Sequence, residues 1–273
     1  MKNFLIFTNK EKDLNLKYTE KIRNYLVEKG NKVTEVSDYL PEDADCMIVL
    51  GGDGTMLQAA RKTRDSHIPI IGVNLGTLGY MTEVDPEKLE SALDRLVLGE
   101  YLLESRMMLE GEVLPGKQQE KKLSGELALN DIVIARSSSL KIVKFAIYVN
   151  GQFLYDFSGD GVIITTPTGS TGYNLSAGGP VVEPQANLIM LTPICPHTLN
   201  QRSIIFSPDD VIEIAIPMGR NGIQTVEMSF DGNHEIPLYT GDRVRIRKSE
   251  KITEFILLNQ ESFLAKLNKK MGQ

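Results

Sequence analysis

The feature that most limits what this chain can fold into is a change of period within its first hundred residues. Phe4-Leu5-Ile6-Phe7 is a short apolar run suited to a buried strand, and after it Leu14, Tyr18, Ile22, Tyr25 and Leu26 recur at helical spacing until Gly30. Residues 33–36 predict a second strand, residues 45–50 a third that stops at Gly51-Gly52, and residues 68–73 a fourth. Between them Met56, Leu57, Ala59 and Ala60 resume helical character up to about Thr63, and Pro86 opens a helix carrying Leu89, Leu93, Leu96 and Val97. Strands that alternate with helices predict a doubly wound, mostly parallel sheet.

From about Met107 to Glu254 the helical period gives way to repeated short β runs, at 132–134, 145–149, 161–165, 211–216, 225–229 and 243–246. Asn150-Gly151 and Asp231-Gly232 are hairpin signals within it. The polar run at 115–122 reads as a solvated hairpin loop, and Leu257 to Leu267 as a closing, helical extension. The expected organisation is an α/β N-terminal domain at 1–104, a β-rich domain at 105–255 and a C-terminal extension at 256–273.

Thirty Lys+Arg against thirty-six Asp+Glu leave a net charge of −6, which argues against a nucleic-acid partner needing a basic face. No apolar run approaches the roughly 18–20 residues that span a bilayer, and the start turns polar at Thr8, too soon for a signal peptide. A cytoplasmic protein with no membrane partner is expected. Cys46 and Cys195 lie far apart in apolar, strand-like contexts, which predicts two buried free thiols. His67, His197 and His234 show no zinc spacing, so no protein-built metal site is expected.

The glycines are unevenly placed. Thirteen of the 23 fall within residues 51–80 and 151–180, where an even spread would put roughly five. The first cluster, Gly51-Gly52-Asp53-Gly54-Thr55, sits where a strand meets a helix, the edge at which open α/β sheets bind ligands. Its backbone N–H groups and the helix end can cradle phosphates without a lysine. It is neither a P-loop nor a dinucleotide fingerprint. Asp53 would repel an anion and is a poor choice for binding alone; as a base that accepts a hydroxyl proton during phosphoryl transfer it makes sense. The plainer alternative is a turn with Asp53 as helix cap. Gly76, Gly79 and Tyr80 repeat the design after the next strand, with Tyr80 offering a ring for stacking.

The second cluster, residues 158–180, is the densest run of hydroxyls, amides and glycines in the chain. Such groups after a buried strand can read ribose hydroxyls and an adenine edge. A serine nucleophile at Ser170 is the rival reading, and it lacks a nearby base and the G-x-S-x-G frame. Asn130-Asp131 at a strand start can hold vicinal hydroxyls, or simply make a turn.

Taken together, Gly51-Gly52-Asp53-Gly54-Thr55, Asn130-Asp131, Gly159-Asp160-Gly161 and Thr168-Gly169-Ser170-Thr171-Gly172-Tyr173, with Asn174-Leu175-Ser176 following, resemble the NAD kinase family. The Gly-Gly-Asp-Gly-Thr element is shared with phosphofructokinases and lipid kinases; the Thr-Gly-Ser-Thr-x-Tyr run is the more specific. The resemblance implies an α/β nucleotide domain, a β-rich dinucleotide domain that also makes the oligomer contacts of a homodimer or homotetramer, and ATP, NAD and Mg²⁺ or another divalent cation as reactants and cofactor. It implies Asp53 as base and Asn130, Asp131, Asp160 and Thr171 through Ser176 (Gly172, Tyr173, Asn174 and Leu175 included) as dinucleotide contacts, with Asn233 a shorter substitute for the usual Gln. Gly172 stands where the family usually has Ala. Ser158 stands where many members have Arg, and Lys141 is the candidate to supply that cation. The alternatives are a lipid or sugar kinase of the same superfamily and a non-catalytic NAD/NADP sensor. Transfer requires the two glycine clusters to meet.

Overall fold

A computed structural model describes residues 1–36, 40–41, 43–77, 79–116, 123–137, 142–198, 201–219, 222–258 and 262–271. The chain divides into two compact units, Met1–Arg106 together with Lys251–Gln273, and Met107–Glu250.

In the first unit β1 (Asn3–Thr8), β2 (Lys32–Glu35), β3 (Cys46–Gly51) and β4 (Ile70–Asn74) stand in the order β2-β1-β3-β4, each neighbouring pair parallel. Parallel neighbours need crossovers, and α1 (Lys17–Glu28) and α2 (Asp53–Thr63) supply helices for them, while α3 (Leu89–Leu98) follows β4. α3 buries Leu89, Ala92, Leu93 and Leu96, a stripe at three- and four-residue spacing, onto the core of Phe4, Ile6, Ile48, Leu50, Ile71 and Val73. The buried Asp13 carboxylate ties down the start of α1, accepting the N–H of Tyr18 (3.0 Å) and of Thr19 (2.9 Å).

The second unit is built from β5 (Leu102–Leu114) after its first five residues, β6 (Leu123–Ala128), β7 (Asp131–Arg136), β8 (Val143–Val149), β9 (Gln152–Gly159), β10 (Gly161–Thr165), β11 (Ile189–Ile194), β12 (Ile204–Phe206), β13 (Ile212–Ala215), β14 (Thr225–Phe230), β15 (Asn233–Tyr239) and β16 (Arg243–Leu257) up to Glu250, the remaining residues of β5 and β16 belonging to the first unit. One sheet runs β12-β11-β10-β7-β14-β15, antiparallel throughout. The other joins β13 to β8 and β16, β8 to β9, and β5 to β6 and β16. Phe145, Ile147, Ile164, Leu191, Met228 and Phe230 belong to the core that they share. Asn150-Gly151 and Asp231-Gly232 each hold positive φ at both residues, the tight-turn geometry their sequence predicts.

Two expectations need correction. Cys195 is exposed, not buried: β11 is buried throughout but ends at Ile194, and the chain then turns at Cys195 with φ of +45°. Cys46 is a buried free thiol, and burial pushes its ionisation far up. The extension is not helical from Leu257. β16 continues to Leu257, with Phe255 paired in parallel to Ile70 of β4, and the closing helix α4 is Phe263–Met271. Residues 117–122 of the expected hairpin loop lie outside the described residues. No described helix is long and apolar enough to cross a membrane.

Candidate functional site

In the first unit β3 ends at Gly51 and α2 begins at Asp53, so the first glycine cluster is a strand-to-helix turn at the C-terminal edge of the parallel sheet. Gly52 is extended, and its carbonyl accepts the N–H groups of Thr55 (2.9 Å) and Met56 (3.1 Å) as the helix starts. Gly51 has no room for a side chain, because a Cβ there would come within 2.9 Å of Cγ2 of the buried Thr55. Gly54, by contrast, faces open space. A helix start with small, uncovered residues is a ready anion site.

The Asp53 carboxylate is held in one orientation by the loop that follows β4. Tyr80 N–H donates to Oδ2 (2.9 Å) and Met81 N–H to Oδ1 (3.0 Å). Gly79 packs so close that a Cβ there would lie 2.9 Å from the Asp53 Cγ. Each oxygen keeps a lone pair beyond the one its amide uses, so the carboxylate can still take a proton from a ligand. Burial first, and then the negative charge of Asp53, raises the Tyr80 phenol above its ordinary value.

A residue that sequence reasoning did not single out stands beside these glycines. The Lys12 Nζ lies 2.9 Å from the point a Gly52 Cβ would occupy and 3.5 Å from the corresponding point at Gly76. The loop carrying it is fixed: Asn9 N–H donates to Leu50 O (2.9 Å), and Asn9 O accepts the N–H groups of Lys12 and Asp13 (both 3.0 Å). The glycine turn therefore has a cation near it, where the sequence called for no lysine. The signal available in the sequence was that Lys12 follows the end of β1, the strand beside β3.

In the second unit the second glycine cluster follows β10 as two short helical turns, Thr168–Thr171 and Tyr173–Ser176. Its hydroxyls divide into those that hold the loop and those that face out. Ser170 is fully buried, its Oγ donating to Val182 O (3.0 Å) and accepting from Val182 N–H (3.1 Å), which leaves it no part as a nucleophile. Asn174 is also buried, donating to Ser170 O and Pro180 O and accepting from Thr192 Oγ1 (2.7 Å), so its amide fastens the loop from inside. Thr171 and Gly172 are half-buried, while Tyr173, Leu175 and Ser176 are exposed. Gly169 is compulsory, since a Cβ would fall within 2.7 Å of the Asn130 backbone carbon. Gly172 is not: a Cβ would meet Gly169 O at 3.3 Å and Asn130 Nδ2 at 3.5 Å, so the methyl of an alanine fits with a small adjustment.

Asn130 and Asp131 start β7 beside this loop. The Asn130 Oδ1 is buried and has no hydrogen-bond partner among the described residues, an acceptor awaiting a donor. Asp131 is 5% exposed; burial, and then repulsion from Asp231, pushes its carboxyl up to about 7. Asp231 is the second residue the sequence reading passed over, taken only as a turn. Its carboxylate accepts the N–H groups of Leu129 (2.9 Å), Asn130 (2.8 Å) and Asp131 (3.1 Å), so it holds the segment that presents both side chains. Asn233 donates back to Asp231 O (3.1 Å). Asp160 pairs with Arg136 (Nε to Oδ1, 3.3 Å). Ser158 sits in β9 with its carbonyl bonded by His197 N–H (2.8 Å), and Lys141 lies outside the described residues. The Tyr173 phenol is raised by burial first and then by Cys195, Asp160 and Asp131, each within electrostatic reach of it.

Two family descriptions match the chain: the ATP-NAD kinase N-terminal domain at residues 4–101 and the ATP-NAD kinase C-terminal domain at residues 129–258. The NAD kinase of Lachnospira eligens is 44% identical, the match covering 99% of this chain and 100% of that protein. The NAD kinase of Lachnoclostridium phytofermentans is 43% identical, with 100% and 99% covered. Among solved structures, an NAD kinase from Archaeoglobus fulgidus in complex with ATP superposes with a TM-score of 0.78 at 26% identity, covering 100% of this chain and 99% of that one. Yeast NADH kinase complexed with NADH shares the fold, with a TM-score of 0.83 at 24% identity and coverage of 100% and 88%.

Proposed function

The chain belongs to the ATP-NAD kinase family, and we propose that it moves the γ-phosphoryl group of ATP to the 2′-hydroxyl of the adenosine ribose of NAD with Asp53 as general base. Phosphorylation of NAD by ATP is the family's reaction, and the chain is an enzyme of that reaction. The observation that carries the residue assignment is the Asp53 carboxylate, held by two amides in the middle of a glycine turn otherwise suited to phosphate. A pure binding site gains nothing from that charge. The 2′-oxygen attacks the γ-phosphorus as the bond to the β-phosphate oxygen breaks, its proton passes to Asp53, and the charge leaves with ADP. Amides of the turn from Gly52 to Gly54 and the Lys12 ammonium hold the donor phosphates, the Thr55 N–H being taken by Gly52 O.

The divalent cation fits this chain as a passenger on ATP. Among the described residues no three His, Cys, Asp or Glu side chains cluster, and Mg²⁺ commonly binds through phosphates and water with one or two carboxylates, of which Asp53 is the one at this turn. When bound, the metal neutralises phosphate charge. For the dinucleotide, Asn130 Oδ1, Asp131, Asp160 and the exposed edge from Thr171 to Ser176 supply the contacts, with Asn174 and Asp231 holding them in place. Lys141 stays the proposed cation for the dinucleotide, and Arg136, paired with Asp160, is a second positive group in this unit. A homodimer or homotetramer is proposed, checked by light scattering. The cytoplasm is proposed as its location from the free cysteines.

A matrix of donors (ATP, inorganic polyphosphate) against acceptors (NAD, NADH, a sugar, a diacylglycerol) tests the reading. It predicts ATP-dependent formation of NADP phosphorylated at the 2′ position. Sugar or lipid phosphorylation without NADP, or tight NAD binding without turnover, would overturn it.

A further inference from the structure

The two amides that hold Asp53 belong to Tyr80 and Met81, and the segment of which they are part is gripped from its other side by the C-terminal end of the chain. Lys266 of α4 reaches the Glu83 Oε2 at 3.3 Å and the Thr82 carbonyl oxygen at 3.4 Å. The pair is largely dry, with side-chain exposures of 14% for Lys266 and 5% for Glu83. The other Glu83 oxygen accepts the N–H of Leu258, at the exit of β16 (3.1 Å). One turn later Lys270 Nζ sits 3.8 Å from the centre of the Tyr80 ring, and Phe263, at the start of the same helix, stands 6.3 Å from it. Five successive residues, Gly79 to Glu83, are thus fixed between the catalytic aspartate and the tail.

These contacts exceed what covering an apolar surface requires. A buried ion pair is a poor choice for stability alone, because desolvating both charges offsets much of their attraction, but it does fix position. Only Met81 and Thr82 separate Glu83 from Tyr80, few enough that a shift at one reaches the other through the backbone. We infer that α4 is a positioning element of the active site, and that Lys266, through Glu83 and Thr82, sets the orientation of the Tyr80 and Met81 N–H groups and so of the Asp53 carboxylate. The inference rests on the assignment of Asp53 as base.

Lys266→Met keeps the length of the side chain and removes its charge. With the full chain, kcat at saturating ATP and NAD is expected to fall about tenfold while both KM values stay within about twofold, since positioning of a reacting group acts on the chemical step. Lys266→Arg is expected to recover most of the loss. Amide hydrogen exchange at Tyr80 and Met81 should quicken in Lys266→Met and not at the buried β3 amides. Should Lys266→Met fail to fold, Lys270→Ala, which removes only the contact with the Tyr80 ring, is expected to give a smaller loss of kcat, about threefold, with the same exchange signature. Unchanged kcat with unchanged exchange overturns the inference. Unchanged kcat with quickened exchange overturns it as well, and indicts the Asp53 assignment beneath it, not the tail contact. A rise in KM with kcat intact also overturns it, by making the loop a substrate contact.

Discussion

Gly79→Ala probes the proposed base, Asp53, without replacing it. Gly79 does not have a positive φ, so alanine meets no backbone penalty there and the effect is one of volume. The new Cβ would stand 2.9 Å from the Asp53 Cγ and 2.9 Å from the Thr82 Oγ1, with the Asp53 Oδ1 nearer still. Ordinary contact begins at 3.4 Å, so the carboxylate carbon must retreat by at least roughly 0.5 Å (3.4 less 2.9), and the oxygen by more. Among the described residues, the groups that hold Asp53 are the amides of the two residues following Gly79, and they move with the loop if the loop yields instead. Either way the base leaves its position by about 1 Å, a displacement worth about 100-fold in rate. The assay is the initial rate of NADP formation at saturating ATP and NAD, with thermal unfolding alongside. A kcat within threefold of the parent, in a protein that folds normally, would refute the reasoning, because it would mean that the carboxylate works equally well from another place.

Lys12→Met should raise the KM for ATP about tenfold and leave that for NAD unchanged, with Lys12→Arg intermediate; equal effects on both substrates would remove Lys12 from the donor site. Gly172→Ala, which restores the residue common in the family, should leave activity and melting temperature nearly unchanged, since the added methyl meets nothing closer than 3.3 Å. Asp131 carries a sign that can be checked. Its folded-state ionisation is raised to about 7 from 3.8, so its contribution to stability is full below the unfolded value and is lost as pH rises toward and through 7. Asp131→Asn should therefore gain in melting temperature relative to the parent at pH 8 compared with pH 5, and a difference that is flat with pH would refute the account of its burial.

The first unit was largely legible in the sequence because β1 and β3 carry unbroken apolar runs and its helices apolar stripes; α3 buries Leu89, Ala92, Leu93 and Leu96, three of them at the positions their spacing marks. Asp53 was legible for a chemical reason, a carboxylate placed among groups that suit an anion. What could not be read depends on contacts distant along the chain. Lys12 looks like one more charge in a charged stretch until β1 is seen paired with β3, which brings its loop to Gly52. Asp231 looks like a hairpin residue, and only its three amide contacts about a hundred residues away, at Leu129, Asn130 and Asp131, show that it shapes a site. Asn174 has the opposite history: a polar side chain in a polar run reads as a ligand contact, yet it is fully buried and bonded within its own loop and to Thr192. Cys195 misled because an apolar, strand-like context marks a strand but not the residue at which it stops.

The central claim is that Asp53 takes the proton of the NAD 2′-hydroxyl as ATP delivers its γ-phosphoryl group. The most direct measurement is the single-turnover rate of NADP formation by the Asp53→Asn variant, with NAD and ATP affinities and the melting temperature measured on the same preparation. The account predicts a loss of at least about 1,000-fold in rate with both ligands still bound, general-base catalysis and the placement of the hydroxyl failing together. A variant that keeps its fold and forms NADP within tenfold of the parent rate would contradict it.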